Sequence, residues 1–240
     1  MITIFKLFLI AIYGLFWSII TLFTLPFDRK FIFYFKVSKW FSGGILKISR
    51  IKLKVTGLEN FSHNKAYVFV PNHMSQYDIV TLQKSIPNRM AMIFKKELAR
   101  IPFFGWTLYL GPYVMINRKN IESAMRSINE AKEKLVKKNI SMVVFAEGTR
   151  SKTGEIQPFK RGAFRLASQV GFPIVPVTIS GSNKIMPKNT FKIKPGTIHI
   201  HFDKPISTEG IESRKDEIEL MNKVREVVVR NHKEYAESTN

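Results

Sequence analysis

"AYVFVPNHMSQYDIV", residues 66–80, carries an apolar run into Pro71, breaks at Asn72 and His73, and resumes with polar residues. The run before the proline reads as a strand bounded by a turn signal. Ser75-Gln76-Tyr77-Asp78 is an S-x-x-D sequence, and predicts a helix start with Ser75 at the N-cap and Asp78 in the first turn. On one continuous helix His73 and Asp78, five apart, would lie about 140° from each other around the axis. They meet only if the helix begins between them. His73 then folds over from the loop toward Asp78. That geometry suits a neutral imidazole whose Nδ1–H is held by a carboxylate while Nε2 accepts a substrate proton. The plainer alternative is a cap carboxylate beside an unrelated loop histidine.

Outward from this unit the pattern repeats. Short β-branched or apolar runs occur at 51–56, 66–70, 90–94, 113–116, 141–145, 173–179 and 197–202, each bounded by Gly, Pro, Asn or charge. Helical periodicity spans 121–138, with Ile121, Met125, Ile128 and Leu135 on one face and lysines crowding the end. A second helix is expected over 214–231, with Ile218, Met221, Val224 and Val228 in register. Strands alternating with helices predict an α/β domain over 51–240, a mixed and mostly parallel sheet flanked by helices.

Residues 1–50 read differently. Leu7–Leu25 contains no charge and would be roughly 28 Å long as a helix, about the hydrocarbon thickness of a bilayer. No small-x-small cleavage site precedes Pro26, which argues against a secretory signal. Phe31–Ile48 mixes aromatics with Lys36, Lys39 and Lys47 and reads as an interfacial helix. The expectation is an N-terminal membrane-embedded helical pair, which either spans or dips into one leaflet. If the first helix spans, Lys6 stands on one flank, with Arg29, Lys30, Lys36 and Lys39 on the other. The positive-inside bias places the 51–240 domain on the cytoplasmic face, as at a bacterial-type inner membrane.

The chain of 240 residues has 38 Lys and Arg against 18 Asp and Glu, a formal charge of +20. Such a charge seeks polyanions, either nucleic acid or an anionic lipid surface. Cysteine is absent, which removes disulfides, thiolate metal sites and a cysteine nucleophile. The sequence has no G-x-S-x-G, H-E-x-x-H, Walker or G-x-G-x-x-G motif. What it does carry is "FAEGTR", 145–150, at a strand's carboxyl end, where open α/β sheets bind ligands. Arg118 follows another strand, and Lys160, like both arginines, falls at an element end. Arginine forks bind phosphate oxygens bidentately, so Arg118, Arg150 and Lys160 suit one phosphate pocket.

These residues resemble the 1-acylglycerol-3-phosphate (lysophosphatidate) acyltransferases of the glycerolipid acyltransferase superfamily. "NHMSQYD" matches the N-H-x4-D block of that family, and "KKELARIPFFGWTLYLGPYVMINR", 95–118, matches its second. "FAEGTRS" matches the third block, with Ala146 where the family has proline, and "FPIVPVTIS", 172–180, the fourth; "PFKRGAF", 158–164, is also familial. The resemblance implies transfer of an acyl group from acyl-CoA or acyl-carrier protein to the sn-2 hydroxyl of lysophosphatidate, making phosphatidate for phospholipid biosynthesis. It implies that His73 is the base and Asp78 fixes its tautomer, with no acyl-enzyme. Glu147, Gly148 and Arg150, with Arg118 and Lys95, would then hold the glycerol phosphate. Asn72, Thr149, Lys160 and Gly162 are further candidates within the matched blocks. No metal and no cofactor is implied, the thioester being a substrate. Another lysolipid acceptor within the superfamily is the alternative. A membrane-tethered nucleic-acid binder rests on charge alone, and no nucleic-acid motif supports it.

Three further features carry weaker expectations. His199 and His201 share a strand face at metal-ligand spacing but lack a third ligand in sequence. "GSNKIMPKNTFKIKPG", 181–196, is a basic loop with apolar interleaving, either solvated or pressed on anionic lipid. Phe103, Phe104 and Trp106 read as core packing or as an acyl-chain groove.

Overall fold

The computed structural model describes residues 2–117, 130 and 132–237. Arg118 and most of the helix expected over 121–138 lie outside the described residues. In chain order the elements are α1 (Ile2–Thr24), α2 (Ile32–Ser49), β1 (Ile51–Thr56), β2 (Val68–Pro71), α3 (Tyr77–Ser85), β3 (Met90–Lys95) and α4 (Phe104–Leu110). They continue with β4 (Val114–Ile116), a helical segment α5 (132–137), β5 (Ser141–Val143), α6 (Gly162–Val170), β6 (Ile174–Ser180), α7 (Ser182–Ile185), β7 (Gly196–Phe202) and α8 (Arg214–Glu237). Each of the expected strand runs forms a strand, its ends shifted by at most two residues.

One sheet results, in the order β1-β7-β6-β2-β5-β3-β4. All neighbours are parallel except β6 and β7. Helices cover both faces, so the central strands read as unbroken apolar runs rather than alternating ones. Within β2 the side chains still alternate between two cores. Val68 and Val70 pack toward α6 and α8, while Phe69 packs toward α2 and α3. Pro71 ends β2 opposite Val177, and beyond it the amide of Asn72 takes over the ladder. Its Nδ2 donates to Ile179 O at 2.9 Å, and its Oδ1 accepts from Ile179 N at 2.7 Å. Asn72 is fully buried and splints β2 to β6.

The buried face of α8 is Glu217, Leu220, Val224, Val228 and Asn231. The expected register held for Val224 and Val228, while Ile218 is exposed. Arg161 on the neighbouring helix donates to Glu217, which draws that polar position inward and turns Ile218 out.

The segment Ile2–Phe27 is long and apolar enough to cross a membrane. It nonetheless lies on the body of the protein, packed against α2 and α4. Tyr13 stacks on Phe41, and Trp17 meets Trp40. Across the 50/51 boundary Ser49 Oγ bonds Tyr77 Oη at 2.5 Å, and Ser42 Oγ donates to Gln83 Oε1 at 3.1 Å. Lys6 is not on a flank: it is buried, its Nζ donating to Ser49 O at 3.1 Å and Ile193 O at 3.4 Å. An ammonium on an apolar helix is tolerated there because two carbonyls receive it. The outward face carries Ile4, Phe5, Phe8, Ile12, Phe16, Ile19 and Phe23, all exposed, and Trp40, Trp106, Tyr109 and Leu110 extend the list of exposed apolar groups. Full burial of an exposed Leu, Ile or Phe in an apolar phase contributes about 1.5–3 kcal/mol, and these partly covered side chains would gain a share of that.

Candidate active site

β2, β5, β3 and β4 are adjacent and parallel, so the loops that follow them emerge along one edge of the sheet. The first of these loops holds His73. Its Nδ1 lies 2.9 Å from Asp78 Oδ2, and the same oxygen accepts the backbone N–H groups of Met74 and Ser75, each at 2.7 Å. Asp78 is fully buried. With three donors converging on one carboxylate oxygen, the proton of the pair sits on Nδ1 and leaves Nε2 as the basic lone pair. Phe145 stacks on the imidazole, ring centroids 3.8 Å apart, and fixes its plane.

The local start of α3 differs from the expectation by one residue. The N-cap position is Gln76 and it makes no side-chain cap. Ser75 Oγ instead accepts from Tyr77 N at 3.2 Å and donates to Met186 O at 2.8 Å. Only the acidic half of the capping box forms, with Asp78 reaching back to Ser75 N. Asp78 thereby serves the helix start and the imidazole together.

Glu147 lies in the loop after β5 and faces the His73 loop. It is buried, and burial pushes its carboxyl up from the ordinary value, against the pull of its hydrogen bonds. Oε1 accepts His73 N at 2.7 Å, and Oε2 accepts Gln157 N at 3.0 Å and Gln157 Nε2 at 3.2 Å. Both oxygens are engaged by the protein, and a carboxylate repels a phosphate. Glu147 braces the His73 backbone. Ser151 N returns the favour by donating to His73 O at 2.8 Å, so the 145–151 loop grips His73 on both sides of its peptide unit.

The cationic candidates divide. Gly148 takes the left-handed conformation (φ 74°), and a Cβ there would come within 3.0 Å of Lys160 Nζ. The glycine thus lets Lys160 lie against the loop. Thr149 and Lys160 are exposed and Arg150 is half-buried. Arg150 O accepts Lys188 Nζ at 2.6 Å. Gly162, also exposed, opens α6. Lys95 is exposed at the end of β3, on the same sheet edge. Sequence reasoning missed Gln157, the second partner of Glu147, since nothing in its spacing announces it.

Next to His73 opens an apolar cavity of about 370 Å³. From His73, Gln76 and Phe145 it runs between the sheet and α2–α3 to Phe104 and Leu108 of α4 and to Trp17 and Thr21 of α1. Phe104 lines it, whereas Phe103 and Trp106 are exposed on the outer surface. Gly105 is required where α4 meets the preceding turn, because a Cβ would fall 2.2 Å from Leu98 O. A polar ladder crosses the wall: Gln83 Nε2 donates to Tyr113 Oη at 2.5 Å, and Tyr34 Oη donates to Thr107 O at 3.2 Å. Burial pushes the Tyr113 phenol up to about 12.

His199 and His201 share one hydroxyl partner. Thr56 Oγ1 bonds both imidazoles, each at 2.9 Å, and among the described residues no cluster of three metal-ligating side chains occurs.

Residues 52–180 match the model of the acyltransferase family. A 1-acyl-sn-glycerol-3-phosphate acyltransferase of Cocos nucifera is 38% identical over 155 residues, 65% of this chain and 50% of that protein. The corresponding protein of Saccharomyces cerevisiae is 36% identical over 187 residues, 77% and 61% of the two chains. That of Limnanthes douglasii is 30% identical over 218 residues, 90% and 76%. The chain therefore spans between half and three-quarters of the length of these relatives. The crystal structure of a 1-acyl-sn-glycerophosphate acyltransferase from Thermotoga maritima superposes with a TM-score of 0.84 at 28% identity, covering 98% of this chain and 94% of the other.

Proposed function

This chain belongs to the acyltransferase family, and we propose that it transfers a fatty acyl group from an acyl thioester to the sn-2 hydroxyl of 1-acyl-glycerol-3-phosphate, making phosphatidate. The observation that carries this reading is a base at the mouth of an apolar cavity: His73, with Nδ1 committed to Asp78, lines a space large enough for an alkyl chain. Nε2 takes the hydroxyl proton as the oxygen attacks the thioester carbonyl. The tetrahedral adduct collapses, the C–S bond breaks, and the thiolate leaves. A free thiol has a pKa of about 8.5, so the departing sulfur needs little acid assistance. Buried Asp78 stabilises the imidazolium formed on the way. No acyl-enzyme enters the scheme.

Arg150 and Lys160, with Gly148 giving the backbone room to approach, suit the glycerol phosphate, and Arg118 and Lys95 are further candidates. The donor is acyl-CoA or acyl-carrier protein. The outward apolar face of α1 supports a membrane location, with the sheet edge that bears His73 facing the lipid acceptor and the domain on the cytoplasmic side. Purified protein given lysophosphatidate and either thioester, with products read by mass, tests the reading. Phosphatidate is expected from at least one donor. A parallel panel of lysolipids and neutral alcohols should yield little, and equal turnover of a phosphate-free acceptor would exclude the phosphate pocket.

A further inference from the structure

The segment joining α7 to β7 lies outside the lining of the cavity beside His73, yet it is firmly built. Met186 and Ile193 are buried at its two ends. Lys194 N donates to Ile185 O at 3.0 Å, Lys192 N to Thr190 Oγ1 at 2.9 Å, and Asn189 takes the left-handed conformation (φ 67°). This ordered turn holds Phe191 outward, 75% exposed, next to the exposed Lys192 and Lys194 that follow it. A fixed turn that presents an aromatic ring to solvent, next to lysines, has the make-up of an interfacial anchor.

Its neighbour strengthens the case. A groove of about 600 Å³ has Thr3, Ile4 and Leu7 of α1 on one wall and Phe191 on the other. Ile4 and Phe5 are exposed on the same turn of α1, and Lys6 ties that turn to the loop through Ile193 O. The loop and the apolar face of α1 therefore form one continuous surface. We propose that residues 187–194 are a second bilayer contact, with Phe191 entering the headgroup boundary and Lys192 and Lys194 taking anionic phospholipid headgroups. An acidic protein would satisfy the lysines but not the apolar continuity with α1. The inference rests on the reading of α1 and α2 as membrane-embedded, and not on the transfer chemistry. It also gives the contact a consequence. Ser75 Oγ donates to Met186 O and Lys188 Nζ to Arg150 O, so the seating of the loop sets how the two site loops face the lipid.

Because the chain has no cysteine, a single Phe191→Cys variant can carry an environment-sensitive dye in the full-length protein. Glu209→Cys is the reference. β7 runs antiparallel to β6, so residue 209 lies toward the opposite sheet edge. Both are reconstituted into phosphatidylcholine vesicles with and without phosphatidylglycerol. The dye at 191 is expected to become several-fold less quenchable by iodide, more so with the anionic lipid, while that at 209 stays open to water. In the Phe191→Cys background, Lys192→Gln/Lys194→Gln is expected to erase the dependence on anionic lipid. A dye at 191 as quenchable as at 209 in vesicle-bound protein overturns the proposal, as does shielding produced only by an acidic carrier protein. Adding His73→Ala should leave the fluorescence unchanged, which separates this test from the fate of the acyl-transfer reading.

Discussion

The backbone N–H of His73 donates to Glu147 Oε1 at 2.7 Å, so the loop after β5 sets the position of the loop after β2. Two sequence motifs separated by 74 positions are thereby one mechanical unit. Glu147→Gln should keep an acceptor for His73 but oppose its amide to the two Gln157 donors. A shift of the imidazole by about 1 Å costs on the order of 10²-fold in turnover. The loss is expected in kcat, with KM for lysophosphatidate little changed. A raised KM with intact kcat would return Glu147 to the phosphate.

His73→Ala is expected to lower kcat by about 10²–10⁴-fold, the usual contribution of a positioned base. Asp78→Asn should cost a similar factor, because an amide can present its NH2 to Nδ1 and force the wrong tautomer. Circular dichroism would show both variants folded. Full activity in either, measured on pure protein, sinks the assignment.

The cavity predicts chain-length discrimination. Val80→Phe narrows it, and each methylene denied burial forfeits about 0.8 kcal/mol, close to fourfold in kcat/KM. Competition between long and short acyl donors should therefore shift toward the short ones. An unchanged ratio would mean that the chain binds elsewhere.

Acid should weaken the fold through two histidines outside the site. Burial lowers the folded-state values of His199 and His232 from the ordinary 6.5. A lowered histidine contributes stability that is present above its unfolded value and is lost as pH falls through its folded value. Urea midpoints measured from pH 8 to pH 5 should fall below about pH 6.5. The slope should flatten in His199→Gln/His232→Gln, and an identical slope in that variant would contradict the linkage.

Much of the architecture was legible in residue order. Strand runs and turn signals are local, and a helix start between His73 and Asp78 brings Asp78 back to the loop that carries the imidazole. The register of α8 was harder: Ile218 fits the apolar period, but an arginine on another helix drew Glu217 inward in its place. Asn72 and Glu147 were recognisable as members of motifs but not as braces. Their partners, Ile179 and the His73 N–H, are brought close only by strand order.

From its sequence alone, then, this protein has its elements, the paired His73 and Asp78, and the sheet edge from which they emerge, since all of these depend on contacts within a few residues. Tertiary structure decided which carboxylate touches what, where the apolar cavity runs, and that Lys6 is a buried staple. Those outcomes turn on donors and acceptors dozens of residues apart, and the direction of a side chain is settled only once its distant partners have arrived.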